Sequence, residues 1–239
     1  MRRSIPDFLR IYEVECRRKR AYIEEVEELE GRLDRIAAAV RLITGDREFR
    51  ALLAAEGLAT MPNTLARRIS SAPPSHMMSL PPVYTQANQI AAGEICREVI
   101  ELMRDCTGPA GLFALLRAVL PVRQTEIVRL MIARGPVSLN YAKMLVALTR
   151  RSLLVEDIHP QPELASLSAD RKAEMECELA DLSRAFLTAL ERRGPASLEL
   201  VAACRFFDRL MDNARVVRYL AGNFPGRFEE FHQLTARSK

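Results

Sequence analysis

The apolar residues near the start of the chain repeat with the period of a long helix. Spacings of four and three residues alternate along a series made up of Tyr22, Val26, Leu29, Leu33, Ile36, Val40 and Ile43. A repeat of 3.5 residues forms one seam along a helix, and the pattern therefore predicts a single helix over residues 8–44. Bases at 17–20 precede a run of acids at 24–30. These charges fit a solvated helix face, or a dimerisation arm whose charge blocks set an antiparallel register.

Two shorter elements are expected to follow this helix. Asp46 is of a residue type that caps helix N-termini, and the apolar positions after it predict a short helix that Gly57 ends. Leu65 and Ile69 predict one or two further turns. Residues 1–69 are thus predicted to form a helical hairpin. Residues 70–85 contain two Pro-Pro pairs and no helical period, as is typical of a linker.

The middle of the chain, residues 86–158, contains four short amphipathic segments. The first is predicted to form a helix over residues 86–104 and the second over residues 112–119. Pro121 suits the first turn of a third helix, which Gly135-Pro136 terminates. Ser138 is a candidate N-cap for the fourth. Four helices with short connections predict a compact bundle.

The last third is predicted to form a pair of helices. Residues 159–168 contain two prolines and form the second candidate linker. Within residues 169–239, Gly194-Pro195 is expected to separate two helices with 3.5-residue seams, which would pack as an antiparallel hairpin before a short final helix. The predicted fold class is all-α, with a central helical bundle, a long N-terminal helical hairpin and a C-terminal antiparallel hairpin.

Composition narrows the class of protein only slightly. The 239 residues have a net charge of +4, which permits contact with nucleic acid but does not argue for it. No apolar run reaches membrane-spanning length, and the N-terminal stretch lacks the apolar region of a secretory signal, so no contact with a membrane is expected. Five cysteines, an odd number without a CxxC pair, fit a reduced cytoplasm.

Motifs for catalysis and for metal binding are absent from the sequence. It has no P-loop, no GxGxxG, no HExxH and no paired CxxC. The three histidines, at 76, 159 and 232, are isolated from other candidate ligands, and no base accompanies a candidate nucleophile. We therefore expect no enzymatic activity, no catalytic residues, no metal and no cofactor.

Several segments resemble the RepB-type plasmid partition proteins, a ParB-like family. They are GEICREVIEL (93–102), LPVRQTE (120–126), NYAKMLVA (140–147), LELV (198–201), LMDNARVVRYL (210–220) and FEEF (228–231). Their order is that of the family, and the resemblance covers residues 93–234. It implies a role in plasmid or chromosome partition, or in regulation by a ParB-like protein.

The resemblance concerns the C-terminal region of that family. Full-length members have a nuclease-like, CTP-binding domain and a helix-turn-helix before this region. This sequence has no GERRxxA box, and a proline- and serine-rich stretch occupies the place of the DNA-reading helices. CTP hydrolysis, clamp formation and centromere reading are therefore not implied for this chain.

The stretch from 121 to 149 also has the size of a helix-turn-helix, with 138–149 as a candidate recognition helix. The residues that would then face DNA are Arg123, Gln124, Asn140, Tyr141, Lys143, Arg150 and Arg151. Alternatively, Arg123 pairs with Glu126 or Glu98 inside the bundle and Tyr141 packs structurally.

Two hypotheses about function follow. The first is a non-enzymatic partition-associated protein that binds DNA weakly or serves as an accessory to a ParB-like protein. The second is a helical protein-interaction or dimerisation module that binds no DNA. Possible partners are DNA, a ParB/RepB-like protein, and a second copy of the chain through the N-terminal helix.

Overall fold

The computed structural model describes residues 5–70, 94–135, 137–155 and 167–236. The regular secondary structure of these residues is helical, apart from one isolated bridge between Val119 and Leu154, which confirms the all-α prediction. The linkers predicted at 70–85 and 159–168 lie almost entirely outside the described residues. None of the helices in the described ranges combines the length and the apolar content that a bilayer crossing requires.

The helices are numbered in chain order. They are α1 Ile5–Gly45, α2 Arg47–Ala55, α3 Asn63–Ser70, α4 Arg97–Leu102, α5 Leu112–Leu116, α6 Pro121–Arg134, α7 Leu139–Ala147, α8 Ala169–Met211, α9 Ala214–Asn223 and α10 Pro225–Ala236, with a 3-10 turn at Arg151–Leu153.

The described residues fall into two compact units. The first unit combines residues up to 23 with the part between 94 and 188, and the second combines residues 24–70 with those from 189 onward. The divisions therefore lie inside α1 and inside α8. These units divide the chain differently from the predicted segments 1–69, 86–158 and 169–239, because each of the two long helices contributes residues to both units.

The second unit has an aromatic and aliphatic core. Ile36, Val40 and Ile43 from α1 pack with Phe49 of α2 and Phe207 of α8, and all five side chains are buried. The apolar seam predicted in α1 is therefore filled, over residues 33–43, by side chains of the same unit. These side chains are therefore not free to pair with a second chain, and the dimer through the N-terminal helix stays a prediction.

The start of α2 follows the prediction. Asp46 is its N-cap, and its carboxylate accepts hydrogen bonds from the backbone N–H groups of Glu48 and Phe49. The Tyr219 hydroxyl also donates to this carboxylate, at 2.9 Å, and this bond holds the pKa of Asp46 below its usual value. Gly57, after the end of α2, has a φ of 69°, a left-handed conformation that glycine adopts without strain.

The first unit contains α4 to α7. Pro121 begins α6 and Gly135 ends it with a φ of 105°, as the sequence predicts. Ser138 lies at the N-cap position of α7, as predicted, but its side chain forms no capping hydrogen bond. The helix predicted over 86–104 is shorter: residues 94–96 are not helical, α4 begins at Arg97, and residues 86–93 lie outside the described ranges.

The break predicted at Gly194-Pro195 is wrong, and with it the antiparallel hairpin predicted for residues 169–239. α8 continues through both residues as one helix of 43 residues, with Pro195 inside it. A proline normally excludes the helical conformation from the preceding residue by contact with its Cβ, and Gly194 has no Cβ.

The chain turns instead at Asp212 and Asn213. The Asn213 side chain caps α9 by accepting hydrogen bonds from the backbone of Arg215 and Val216. Its amide group donates to Glu56 at 2.9 Å, and Arg215 forms an ion pair with the same carboxylate. Because the cap is also tied to the end of α2, tertiary contacts reinforce the local preference of Asn213 for a helix start.

Two adjacent α1 residues test this packing. Ile43 is fully buried, whereas 42% of Leu42 is exposed. Replacement of Ile43 by Ala is expected to lower the free energy of unfolding by roughly 2–5 kcal/mol, because it leaves a cavity in the core. Leu42→Ala is the control and is expected to cost less than about 1 kcal/mol. Urea unfolding followed by circular dichroism measures both, and equal losses would contradict the helix phase described for α1.

Candidate functional site

The Arg123-Gln124 pair lies inside the first unit and not on its surface. Only 3% of Arg123 is exposed. Its guanidinium donates to the Thr149 hydroxyl at 3.1 Å and to the Leu145 carbonyl at 3.2 Å, and it forms an ion pair with Glu126 at 2.7 Å. The planar guanidinium thus joins the first turn of α6 to the end of α7, as arginine can do because its donors form a rigid fork.

Gln124 connects α6 to the segment before α4. Its Oε1 accepts a hydrogen bond from the Cys96 backbone N–H at 3.0 Å, and its Nε2 donates to the carbonyls of Glu94 and Val119 at 2.8 and 3.1 Å. The side chain is 1% exposed. These bonds hold residues 94–96 outside a helix, which explains why α4 begins only at Arg97.

Tyr141 is the third buried member of the predicted DNA-contacting set. It is 2% exposed, and its hydroxyl accepts a hydrogen bond from Lys19 Nζ at 2.9 Å. Lys19 Nζ and the Arg134 guanidinium also lie 5.2 and 5.0 Å from the centre of the Tyr141 ring, within the range of cation–π contacts. Burial raises the pKa of the Tyr141 hydroxyl and lowers that of Lys19 to about 8.

Charged residues of α1 complete this cluster. Glu15 is buried, and its carboxylate accepts from Arg134 at 2.7 Å, while Arg18 donates to the Arg134 carbonyl at 3.0 Å. Glu15 also opposes the effect of burial on the pKa of Lys19. The cluster of Glu15, Lys19, Arg134 and Tyr141 therefore joins α1 to α6 and α7 within the first unit.

The burial of Lys19 and Glu15 was not predicted, although the sequence pattern indicates it. The 4-3 spacing of the α1 seam continues backward from Tyr22 through Lys19, Glu15, Tyr12 and Phe8. Charged residues at seam positions indicate buried, paired charges, because an unpaired charge is rarely buried. The phase of the seam could thus have located both residues.

The remaining predicted residues differ in exposure. Asn140 and Lys143 are half-buried, whereas Arg150 and Arg151 are exposed. Arg150 also lies 3.8 Å from the Cys177 thiol. The structure therefore does not bring the seven residues together on one surface.

Residues 121–149 have the length of a helix-turn-helix, but their second helix is not exposed as a recognition helix has to be. Six of the nine residues of α7 are buried. A recognition helix must present side chains to the major groove, and α7 is instead a core helix. The described residues also contain no group of three His, Cys, Asp or Glu placed to hold a metal ion; His76 and His159 lie outside the described ranges.

These features define the class of protein as an all-helical one in which the motifs shared with partition proteins form buried contacts between helices. A family model described as RepB plasmid partitioning protein matches residues 48–231. The match covers well over half of the chain, which therefore belongs to this family and has a role related to plasmid partition. No curated protein and no solved structure gives a significant match.

The match confirms the resemblance found in the sequence and extends it upstream from residue 93 to residue 48. The added part includes α2 and α3. Both belong to the second unit, where the ring of Phe49 lies 5.6 Å from that of Tyr219 and Arg68 pairs with Glu199. The family region thus includes α2 and α3 together with the C-terminal helices against which they pack.

A stability measurement tests the structural role of Arg123. In Arg123→Lys the positive charge remains but the planar guanidinium is lost. The Thr149 hydroxyl and the Leu145 carbonyl each lose the hydrogen bond that Arg123 donates, and the carbonyl keeps only the bond from Thr149. We expect a loss of about 1–3 kcal/mol in the free energy of unfolding. Arg129→Lys on the same helix is the control, since the Arg129 side chain is 37% exposed and pairs with Glu98. A small and equal effect of both substitutions would reject the structural role.

The buried Lys19 predicts a dependence of stability on pH. Its pKa is about 8 in the folded protein against an ordinary value of 10.5. Between these values the unfolded chain holds one more proton, so stability rises as the pH is raised. From about pH 8 to about pH 9.5 we expect a gain of about 1–2 kcal/mol relative to a Lys19→Met variant. Above about pH 10 the raised pKa of Tyr141 opposes this trend, because the unfolded tyrosine loses its proton first.

Urea unfolding at several pH values, with both proteins under identical conditions, measures this difference. Lys19→Met is a suitable reference because it fills similar space without a titrating group. Parallel pH profiles for the two proteins would contradict the depressed pKa.

Proposed function

We propose that this protein acts in plasmid partition as a non-enzymatic accessory that binds a full-length ParB-like protein, and that it does not read DNA with α6 and α7. Membership of the RepB family supplies the process. The observation that carries the proposal is the burial of Arg123, Gln124 and Tyr141, the most distinctive residues of the shared motifs. Their polar atoms are used to join helices, so they support a scaffold better than a nucleic-acid contact.

The surface charge also favours this proposal over a dedicated DNA-binding role. Many surface bases are paired with acids of the same unit, and these pairs include Arg20–Glu178, Arg97–Glu101, Arg129–Glu98, Arg171–Glu174 and Arg193–Glu25. Proteins that bind duplex DNA concentrate unpaired bases on one face, where they replace counterions on the phosphates. The net charge of +4 is small for such a role.

Exposed apolar residues on the family motifs support protein binding. Ile100 on α4, Phe113 on α5 and Val122 on α6 are 57%, 44% and 62% exposed. Apolar side chains of this size at the surface are typical anchors when they meet a partner. They lie on the helices in and beside the first two motifs shared with partition proteins, where docking on a partition component is expected.

The second candidate function is weak contact with DNA through the end of α7. Arg150 and Arg151 are exposed there, and Lys143 is half-buried one helical turn or more before them. Three bases could contact phosphates without reading base edges. Such binding would be insensitive to sequence and would weaken steeply as salt is raised.

Two binding measurements separate these functions. For the accessory role we expect saturable binding to a purified, full-length ParB-like protein of the same host in biolayer interferometry. Val122→Glu should weaken this binding about tenfold or more, because a charge replaces an exposed apolar contact. The double variant Arg150→Glu/Arg151→Glu should leave it unchanged and is the matched control.

The second measurement tests DNA binding by fluorescence anisotropy, with a labelled duplex of mixed sequence at low salt. Strong duplex binding that disappears in Arg150→Glu/Arg151→Glu would reject the accessory proposal in favour of DNA contact. No binding to the ParB-like protein, with the fold intact by circular dichroism, would also reject the proposal.

A further inference from the structure

One turn in the interior of α8 has no buried side chain. Residues 191–195 are all exposed and follow one another without interruption. Because a helix completes a turn in about 3.6 residues, this run of exposed positions faces every direction around the helix axis. A helix that packs on one side normally buries at least one residue in such a stretch. This turn of α8 therefore depends on its backbone and on the contacts of its charged side chains.

The backbone of this turn is weak for two reasons. Pro195 has no N–H, so the carbonyl of Glu191 loses the donor that the helix would otherwise supply, and the proline ring crowds the same carbonyl. Gly194 loses more conformational freedom on becoming helical than any other residue type would. The sequence signal for a break at Gly194-Pro195 is thus present as a local weakness within a continuous helix.

The apolar packing on either side of the turn is small. Ala189 and Ala196 are the buried residues that bound it, and 5% and 4% of them are exposed. A buried methyl group removes little apolar surface from water, so it stabilises the helix far less than a leucine or phenylalanine would. The fully buried Phe206 lies about three turns further along α8. Segments with few buried apolar contacts open at a lower free energy than the rest of a fold.

Two ion pairs fasten this turn to α1 within the second unit. Arg193 pairs with Glu25 at 2.6 Å. Arg192 forms a bidentate pair with Glu30, in which its Nε donates to one carboxylate oxygen at 2.9 Å and a terminal nitrogen donates to the other. These pairs supply tertiary contacts to a turn whose side chains are all exposed.

We propose that residues 191–195 form a hinge in α8, which opens and closes within the folded protein and is held closed by the ion pairs with Glu25 and Glu30. In the closed state α8 is one continuous helix. In the open state the turn unwinds and α8 becomes two helices, while the core of the second unit stays packed. The hinge lies less than two turns after residue 188, where the division between the two compact units crosses α8. It therefore controls whether the two parts of α8 move as one rigid helix.

The ion pairs make the hinge sensitive to ionic strength. Exposed pairs between flexible side chains contribute modestly to stability, and dissolved salt screens them. The open population is therefore expected to rise about two- to fivefold for each pair that is lost. The missing backbone hydrogen bond does not depend on salt. The two causes of the weakness can thus be measured separately.

Trypsin cleavage of the folded, full-length chain measures the open population, because the protease cuts a helix only where it has unwound. The Arg193–Gly194 bond lies inside the hinge, and its hydrolysis yields fragments 1–193 and 194–239. Segments 71–93 and 156–166, outside the described residues, contain no Lys or Arg and are not cut. We expect cleavage after Arg193 to be at least about tenfold faster than cleavage after Arg205, an exposed arginine of the same helix.

The proline is tested by Pro195→Ala, which restores the backbone N–H. This variant should slow cleavage after Arg193 at least about tenfold. Leu198→Ala is the matched control, since Leu198 is exposed one turn later and its replacement restores no backbone bond. Hydrogen exchange of a peptide covering residues 189–198, measured by mass spectrometry, should slow in the same way. This second measurement does not depend on how trypsin reads the residues next to its cleavage site.

The ion pairs are tested by Glu25→Gln and Glu30→Gln. Each should speed cleavage after Arg193 about two- to fivefold relative to cleavage after Arg205. Glu28→Gln is the control, because Glu28 is an exposed acid of α1 that forms no ion pair within the described residues. Raising salt from about 0.05 to about 0.5 M should speed relative cleavage of the wild type and not of the double variant Glu25→Gln/Glu30→Gln.

Cleavage after Arg193 that is no faster than cleavage after Arg205 would overturn the hinge. So would a Pro195→Ala variant that exchanges and is cut as fast as the wild type. Equal effects of Glu25→Gln, Glu30→Gln and Glu28→Gln would overturn the role of the ion pairs. None of these measurements uses DNA or a ParB-like protein, so their failure is independent of the failure of the accessory function.

Discussion

The fold of the first unit depends on satisfying one buried guanidinium. The guanidinium of Arg123, on α6, donates hydrogen bonds to the Thr149 hydroxyl and the Leu145 carbonyl, and it forms an ion pair with Glu126. A buried cation without these partners would cost several kcal/mol, so the end of α7 has to stay where its carbonyl and hydroxyl groups meet the guanidinium. The neighbouring Gln124 extends the constraint to α4, and two consecutive side chains thereby determine how three helices meet.

The need to pair buried charges also determines how the N-terminal helix packs. The seam of α1 is aliphatic over residues 33–43, where it packs into the second unit, and it includes Glu15 and Lys19 where it packs into the first. In that half each buried charge has a specific partner, Arg134 for Glu15 and the Tyr141 hydroxyl for Lys19. Apolar packing tolerates many arrangements, whereas paired buried charges tolerate few. The polar half of the seam therefore specifies how α1 lies against α6 and α7.

Burial of the shared motifs changes how the family resemblance relates to function. A motif that forms the interior of a helical unit identifies relatives because the packing requires it, and it identifies an activity only indirectly. Functional contacts have to lie on surfaces that the packing leaves open. On this protein those surfaces include the exposed apolar residues on α4 to α6 and on α8, which suit contacts with proteins.

The sequence by itself determined the all-α class, the family, and the local signals at Asp46, Pro121 and Gly135, because periodicity, capping and proline or glycine geometry act over a few residues. It did not determine that α8 continues through Gly194-Pro195 or that the chain turns at Asn213, where a side-chain bond to the distant Glu56 reinforces the cap. Nor did it show that Arg123, Gln124 and Tyr141 are interior. Only the tertiary structure decided these points, because burial and side-chain partners depend on residues far apart in the chain, and the same arginine that could contact a phosphate at the surface binds a carbonyl and a carboxylate inside.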